Sequence, residues 1–112
     1  MKCSITIFIR QLVKGNPKLG TVYDLPASDE DYSCGIQMAI GQAASIIEHT
    51  YKTSLPAWQI KQSKGSTWYK KFYRINFTKK QKSDIRRNCS EGVRQNLMNN
   101  DFAGSVVINI YP

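Results

Sequence analysis

Residues 64 to 82 read KGSTWYKKFYRINFTKKQK, five aromatic side chains interleaved with seven cationic ones. An aromatic ring with one open face stacks on a base, and a cation beside it draws in the phosphate. This mixture is therefore chemistry suited to gripping a single strand of nucleic acid. The charge around it is lopsided in the same direction. Residues 1 to 60 hold five Lys/Arg against five Asp/Glu, whereas residues 61 to 112 hold eleven against three, so the whole net charge of +8 lies in the second half. A concentration of cations is the electrostatic footprint of a protein that meets a polyanion, because each phosphate neutralised releases counterions. Solubility by net charge, or an acidic protein partner, would leave the same mark.

Other chemistry finds little support. Cys3, Cys34 and Cys89 are odd in number and widely spaced, without a CxxC pair, which argues against a disulfide framework or a zinc site and suits a reducing cytoplasm. His49 is the sole histidine and stands where a helix C-terminus would stabilise a cation. No HExxH or glycine-rich phosphate loop occurs, so no metal or other cofactor is expected. A nuclease would need a general base, and the candidates reduce to Asp84, Glu91 and His49. The opening MKCSITIFIRQLVKG is too short and too interrupted in its apolar run for a signal peptide or membrane span.

The elements that must position these residues follow from periodicity. A chain of 112 residues with 41 % apolar content fits one domain around one small core. Cys3 to Arg10 alternates strictly, Cys3, Ile5, Ile7 and Ile9 facing one way and Ser4, Thr6, Phe8 and Arg10 the other, the pattern of a half-buried strand. Gly15 to Ala27 reads as a loop, with Thr21-Val22-Tyr23 as a possible extended piece. Ser28 and Asp31 have the form of a capping box, and Ile36, Ile40, Ala43, Ala44 and Ile47 place a helix behind it to about His49. Ala57 to Gln62 reads as a strand with Trp58 and Ile60 inward, and Trp68 to Phe77 as its hairpin partner with Tyr69, Tyr73, Ile75 and Phe77 inward. Thr78 with Gln81 forms a second capping box, and Ile85, Cys89, Val93 and Leu97 continue at helical spacing. Ser105 to Tyr111 closes the chain as an apolar strand.

The order β, α, β, β, α, β is that of a ferredoxin-like split βαβ sandwich, an α+β fold with two helices on one face of a four-stranded antiparallel sheet. The other sheet face would then stay open, carrying Phe8 and Arg10 from the first strand, Lys61 from the second and Phe72 and Arg74 from the third. With Lys70, these residues are the expected nucleic-acid contacts on the sheet. Lys79, Lys80, Lys82, Arg86, Arg87 and Arg94 add a basic stripe along the second helix. Three of those lysines fall in the helix's first turn, which the macrodipole disfavours.

Two short stretches carry a family resemblance. Ile7-Phe8-Ile9-Arg10-Gln11-Leu12 resembles the first-strand motif of the RNA recognition motif, and Lys70 to Phe77, KKFYRINF, is similar to its third-strand motif. The resemblance implies that Phe8 and Phe72 stack bases and that Lys70 contacts phosphate. The sequence departs from the pattern at Gln11, where Asn is usual, at Lys71 in place of Gly, at Tyr73 in place of a small residue and at Arg74 in place of a second stacking aromatic. TKKQKSDIRR after a hairpin is also similar to the last helix of the DNA-damage-inducible family that binds the RecA recombinase, though that helix is acidic in the family and basic here.

The expected function is thus binding of single-stranded RNA or DNA by a non-enzymatic protein. Three alternatives stand beside it. One is a small accessory or inhibitor protein, of the kind phages and mobile elements carry, docking on an acidic or nucleic-acid-binding host protein. Another is a small ribonuclease toxin. The third buries the open sheet face in a homodimer.

Overall fold

The computed structural model describes residues 2–11, 22–26, 32–33, 35–91, 94 and 102–111, and for 2, 10, 11, 22–26, 32, 33 and 111 the backbone alone. Its first strand, β1 (Lys2–Gln11), follows the alternation in the sequence: Cys3, Ile5, Ile7 and Ile9 are buried, whereas Ser4, Thr6 and Phe8 are half-exposed. The last strand, β6 (Phe102–Tyr111), pairs antiparallel with β1 along ten residues, from Lys2 opposite Tyr111 to Gln11 opposite Phe102. It begins three residues earlier than the sequence suggests, with Phe102, Ala103 and Gly104 all buried.

Two short strands lie within the stretch read as loop and helix start. β2 (Val22–Pro26) pairs with Thr6 to Arg10 of β1, and β3 (Tyr32–Ser33) pairs with Lys2 and Cys3 of the same strand. Helix α1 (Ile36–Tyr51) consequently starts at Gly35 and not at Ser28, because Tyr32 and Ser33 are drawn into the edge of the sheet. The Ser28–Asp31 pair and Cys34 lie outside the described residues. α1 ends where Lys52 turns into the left-handed region, φ 52°, and its N–H returns to the Glu48 carbonyl.

After α1, Pro56 opens a single 3-10 turn, Ala57–Gln59, closed by Gln59 N–H donating to the Pro56 carbonyl at 3.0 Å. Only then does β4 (Ile60–Gln62) begin, pairing with the far end of β5 (Lys70–Ile75). Between them, Gly65 takes a φ of 91°, a conformation that L side chains rarely adopt. β5 pairs on its other edge with β6.

Helix α2 (Lys79–Asn88) opens on the expected capping box: Gln81 N–H donates to the Thr78 hydroxyl and Thr78 N–H to the Gln81 side chain, at 3.2 and 2.9 Å. It is interrupted after Asn88, and helical geometry resumes at Glu91 and Arg94, where Arg94 N–H donates to the Ser90 carbonyl at 2.8 Å; Val93 and Leu97 lie outside the described residues. Cys89 is extended, and the guanidinium of Arg94 closes the end by donating to the carbonyls of Arg86 and Arg87 at 2.8 and 3.1 Å.

The architecture is α+β, an antiparallel sheet with two helices against one face. Its strand order is β2-β1-β6-β5-β4. A split βαβ sheet would seat β1 between β6 and β5; here β6 lies between β1 and β5, so the order of the four expected strands differs from the ferredoxin-like one, and the short strands β2 and β3 are added along one edge. The physical reason is edge occupancy. β2 and β3 satisfy the N–H and C=O groups along one side of β1, leaving a single side for an inner neighbour. β6, apolar and β-branched, takes that side and pairs along both of its own edges.

The core lies between the helices and one sheet face, where Ala39, Ala43, Ile47 and Ile85 meet Ile5, Ile7, Ile75, Val106 and Ile108. Small residues on α1 let it approach the sheet closely. The glycine of β6 does the same for a ring: a Cβ on Gly104 would meet Phe77 Cζ at 2.8 Å and Ile75 Cδ1 at 3.1 Å. No helix among the described residues is long and apolar enough to cross a membrane.

Candidate nucleic-acid interface

The face of the sheet away from the helices is built by strict alternation. Residues in register across it are Ser4, Asn109 and Lys70 in one row, Thr6, Val107 and Phe72 in the next, then Phe8, Ser105, Arg74 and Lys61. Lys61, Lys70 and Arg74 are exposed, and Phe8 and Phe72 are half-buried, each showing part of its ring to solvent. A shallow depression of about 370 Å³ opens between the two rings, floored by Ala103, Ser105 and Val107 and bounded by Arg74 and Ser63. The structure thus brings together Phe8, Phe72, Arg74, Lys61 and Lys70 on one surface. Arg10 belongs to β1 opposite Ala103, with its side chain outside the described residues.

Several contacts hold this surface in shape. Lys70 Nζ lies 5.6 Å from the Phe72 ring centroid, a cation–π contact that keeps positive charge beside the ring. Arg74 Nε donates to Asn76 Oδ1 at 3.1 Å, which leaves the guanidinium's terminal nitrogens to reach outward. Phe72 is fixed through its backbone. Its N–H donates to the Ser66 hydroxyl at 2.9 Å, and its carbonyl accepts from Ser63 N–H at 2.8 Å. Ser63 and Ser66 are thus positioning residues that the sequence reading did not single out. The signal was their place immediately either side of Lys64-Gly65, within a hairpin too wide for a two-residue turn.

β6 stands between the two ring-bearing strands, so the paired positions of Phe8 and Phe72 are two strand spacings apart. They are also offset by two residues along the strands, giving roughly 12 Å between backbones. Bases stacked on both rings would therefore be spread apart and not nested against one another.

The basic helix forms a different surface. α2 sends Ile85 into the core on the covered side of the sheet, so its cations point away from the Phe8–Phe72 depression. Most of them already hold something. Lys80 and Arg87 flank the buried carboxylate of Asp84 at 3.6 and 3.8 Å. Lys82 Nζ lies 5.9 Å from the ring of Phe102, covering the edge of the core, and Arg94 caps the helix. Lys79 is exposed in the first turn, and Arg86 is half-buried. The expected continuous basic stripe is therefore split from the sheet site, and much of it has an intramolecular role.

Trp58 and Tyr69 depart from the inward positions that their strands would have given them. Trp58 is 74 % exposed because the 3-10 turn replaces the strand in which it would have faced inward. Trp68 is 65 % exposed and Tyr69 51 %, edge to face with ring centroids 5.4 Å apart beyond the start of β5. Tyr73, Ile75 and Phe77 are buried as their alternation requires.

The candidate bases of a nuclease do not assemble. Asp84 accepts from the Thr53 hydroxyl at 2.9 Å and is enclosed by its two cations; His49 is exposed in the last turn of α1, and Glu91 is exposed beyond α2. No group of three or more His, Cys, Asp or Glu side chains suited to a metal ion occurs among the described residues. No protein-family model matches the chain, and neither a curated protein nor a solved structure matches it.

Proposed function

We propose that the uncovered sheet face binds single-stranded nucleic acid, RNA or DNA. The observation that carries this reading is the convergence of Phe8, Phe72 and Arg74 on one open depression, with Lys61 and Lys70 at its margins. Two separated rings provide stacking that is indifferent to base identity, and three exposed cations provide phosphate attraction. None of the described side chains on this face is acidic. Cys3 and Cys89 are packed as thiols in and against the core, which suits a cytoplasmic setting.

Fluorescence anisotropy with a short labelled single-stranded RNA at two salt concentrations tests the reading. Phe72→Ala is expected to weaken binding about ten-fold, the loss of one stacked base. Absence of any salt-dependent binding by the parent protein would sink the proposal.

The exposed Trp68–Tyr69 pair favours a second reading, in which the protein is an accessory or inhibitor docking on a host protein. A partner recovered by pull-down that survives nuclease treatment and is lost in Trp68→Ala would support docking over direct nucleic-acid binding.

A further inference from the structure

Beyond β5, a second depression of about 420 Å³ lies between Trp58, Lys61, Arg74 and Asn76. It shares Ser63 and Arg74 with the Phe8–Phe72 depression, so the two adjoin and together make a trough across the uncovered side of β4, β5 and β6. Trp58 stands at its far end as the most exposed large apolar side chain among the described residues.

The ring sits on a braced platform. The neighbouring Gln59 exchanges amide hydrogen bonds with Gln81 at 2.6 and 2.9 Å and donates to the Asn76 carbonyl at 3.0 Å. Gln81 in turn donates to the Ser54 carbonyl at 2.8 Å and serves the α2 capping box. A side chain with little burial of its own is thereby held on a turn fastened at both sides, an arrangement that presents a ring without a large ordering cost on contact.

We infer that Trp58 is a third stacking platform, so that a bound strand runs from Phe8 past Phe72 and Arg74 to end on the indole. This rests on the nucleic-acid reading above and extends it to the length and course of the ligand. Charge selects the occupant. Lys61 and Arg74 lie between the second and third rings, and among the described residues no acidic side chain lines either depression, so the trough alternates ring and cation from Phe72 to Trp58 as a base-and-phosphate chain requires, while Asp24 is the register partner of Phe8 at the β1 end. From β1 to β4 there are three strand spacings, roughly 14 Å, more than the separation of two neighbouring bases. A dinucleotide therefore engages part of the trough, whereas a hexanucleotide engages all of it.

The test uses the full chain with Trp68→Phe, which leaves Trp58 as the sole tryptophan. Titration with oligouridylate and oligodeoxythymidylate hexamers is expected to quench Trp58 emission in step with anisotropy, and dinucleotides to leave it unchanged. Trp58→Ala should weaken hexamer binding about ten-fold while Trp58→Phe restores most of it. Hexamer binding by anisotropy with unaltered Trp58 emission and parental affinity in Trp58→Ala would overturn the third platform while leaving the Phe8–Phe72 site intact. Failure of the parent to bind either hexamer would remove both readings together. A response to one hexamer only would keep the platform and show that it distinguishes two strands differing in the 2′-hydroxyl and the base 5-methyl group.

Discussion

The cations of the outer sheet face and those of α2 are equally basic on paper but differ in what they already hold. On α2, Lys80 and Arg87 answer the buried Asp84, Lys82 covers Phe102 and Arg94 closes the helix. On the sheet, Arg74 spends Nε on Asn76, Lys70 leans on Phe72, and Lys61 is exposed beside them, with no carboxylate among the described side chains of that face. The lesson concerns electrostatic footprints: a run of Lys and Arg marks a ligand site only where the fold leaves the charges uncompensated. Where a carboxylate, a ring or helix carbonyls lie beneath them, the same residues hold the protein together.

Removing equal charge from each region gives the largest contrast. Lys61→Ala with Arg74→Ala should lower affinity for a single strand more than ten-fold at low salt and flatten the salt slope by about 1.4, two phosphates at roughly 0.7 each. Lys80→Ala with Arg87→Ala removes the same two charges but should leave the slope unchanged and lower stability by at most about 1 kcal/mol per pair, since both pairs are largely solvent-exposed on the cationic side. Equal slopes for the two double variants, read by anisotropy across a salt series, would break the comparison.

The covered face should respond in stability alone. Gly104 is central in β6, opposite Ile9 and Ile75, with the Phe77 ring where a Cβ would stand. Gly104→Ala must displace that ring from its packing against Phe102, 5.9 Å away between centroids, and is expected to cost about 1–3 kcal/mol. Urea unfolding measures the loss; binding per folded molecule should be unchanged. A weaker affinity in folded Gly104→Ala would show that the two faces are coupled.

What the sequence disclosed follows from which forces are local. Alternation has period two, so the outward set Phe8, Lys61, Phe72 and Arg74 was legible before any strand was paired. The Thr78–Gln81 capping box was equally legible, its partners lying three residues apart. Strand order was not. It turned on β2, a five-residue segment of mixed composition that occupies one edge of β1, and edge competition leaves no periodic trace. The exposure of Trp58 was hidden for a similar reason. Pro56 permits a strand or a 3-10 turn alike, and the choice rests on Gln59 finding Gln81, 22 residues away. The division of labour among the cations was hidden too, because Asp84 and Phe102 had first to be placed beneath them.

The smallest expected effect tests how tightly α1 and α2 are joined on the covered side. Tyr51 ends α1 almost fully buried, its carbonyl accepting from Asn88 Nδ2 at 2.8 Å. Burial, and then the negative charge of a nearby Cys89 thiolate, push its phenol from 10.0 up to about 12. The folded protein therefore keeps this proton after the unfolded chain has released it. Between pH 10 and 12 the unfolded state binds fewer protons, so stability falls as pH rises, while below pH 10 the contribution is fully present. Tyr51→Phe has no proton to lose and leaves the carbonyl contact with Asn88 in place, so its stability should decline less over that window. Parallel alkaline profiles for parent and variant, followed by near-ultraviolet circular dichroism, would mean that solvent reaches the phenol and that the helix junction is looser than its packing indicates. Nucleic-acid affinity at neutral pH should be the same for both proteins, since Tyr51 lies on the side of the sheet that the trough does not use.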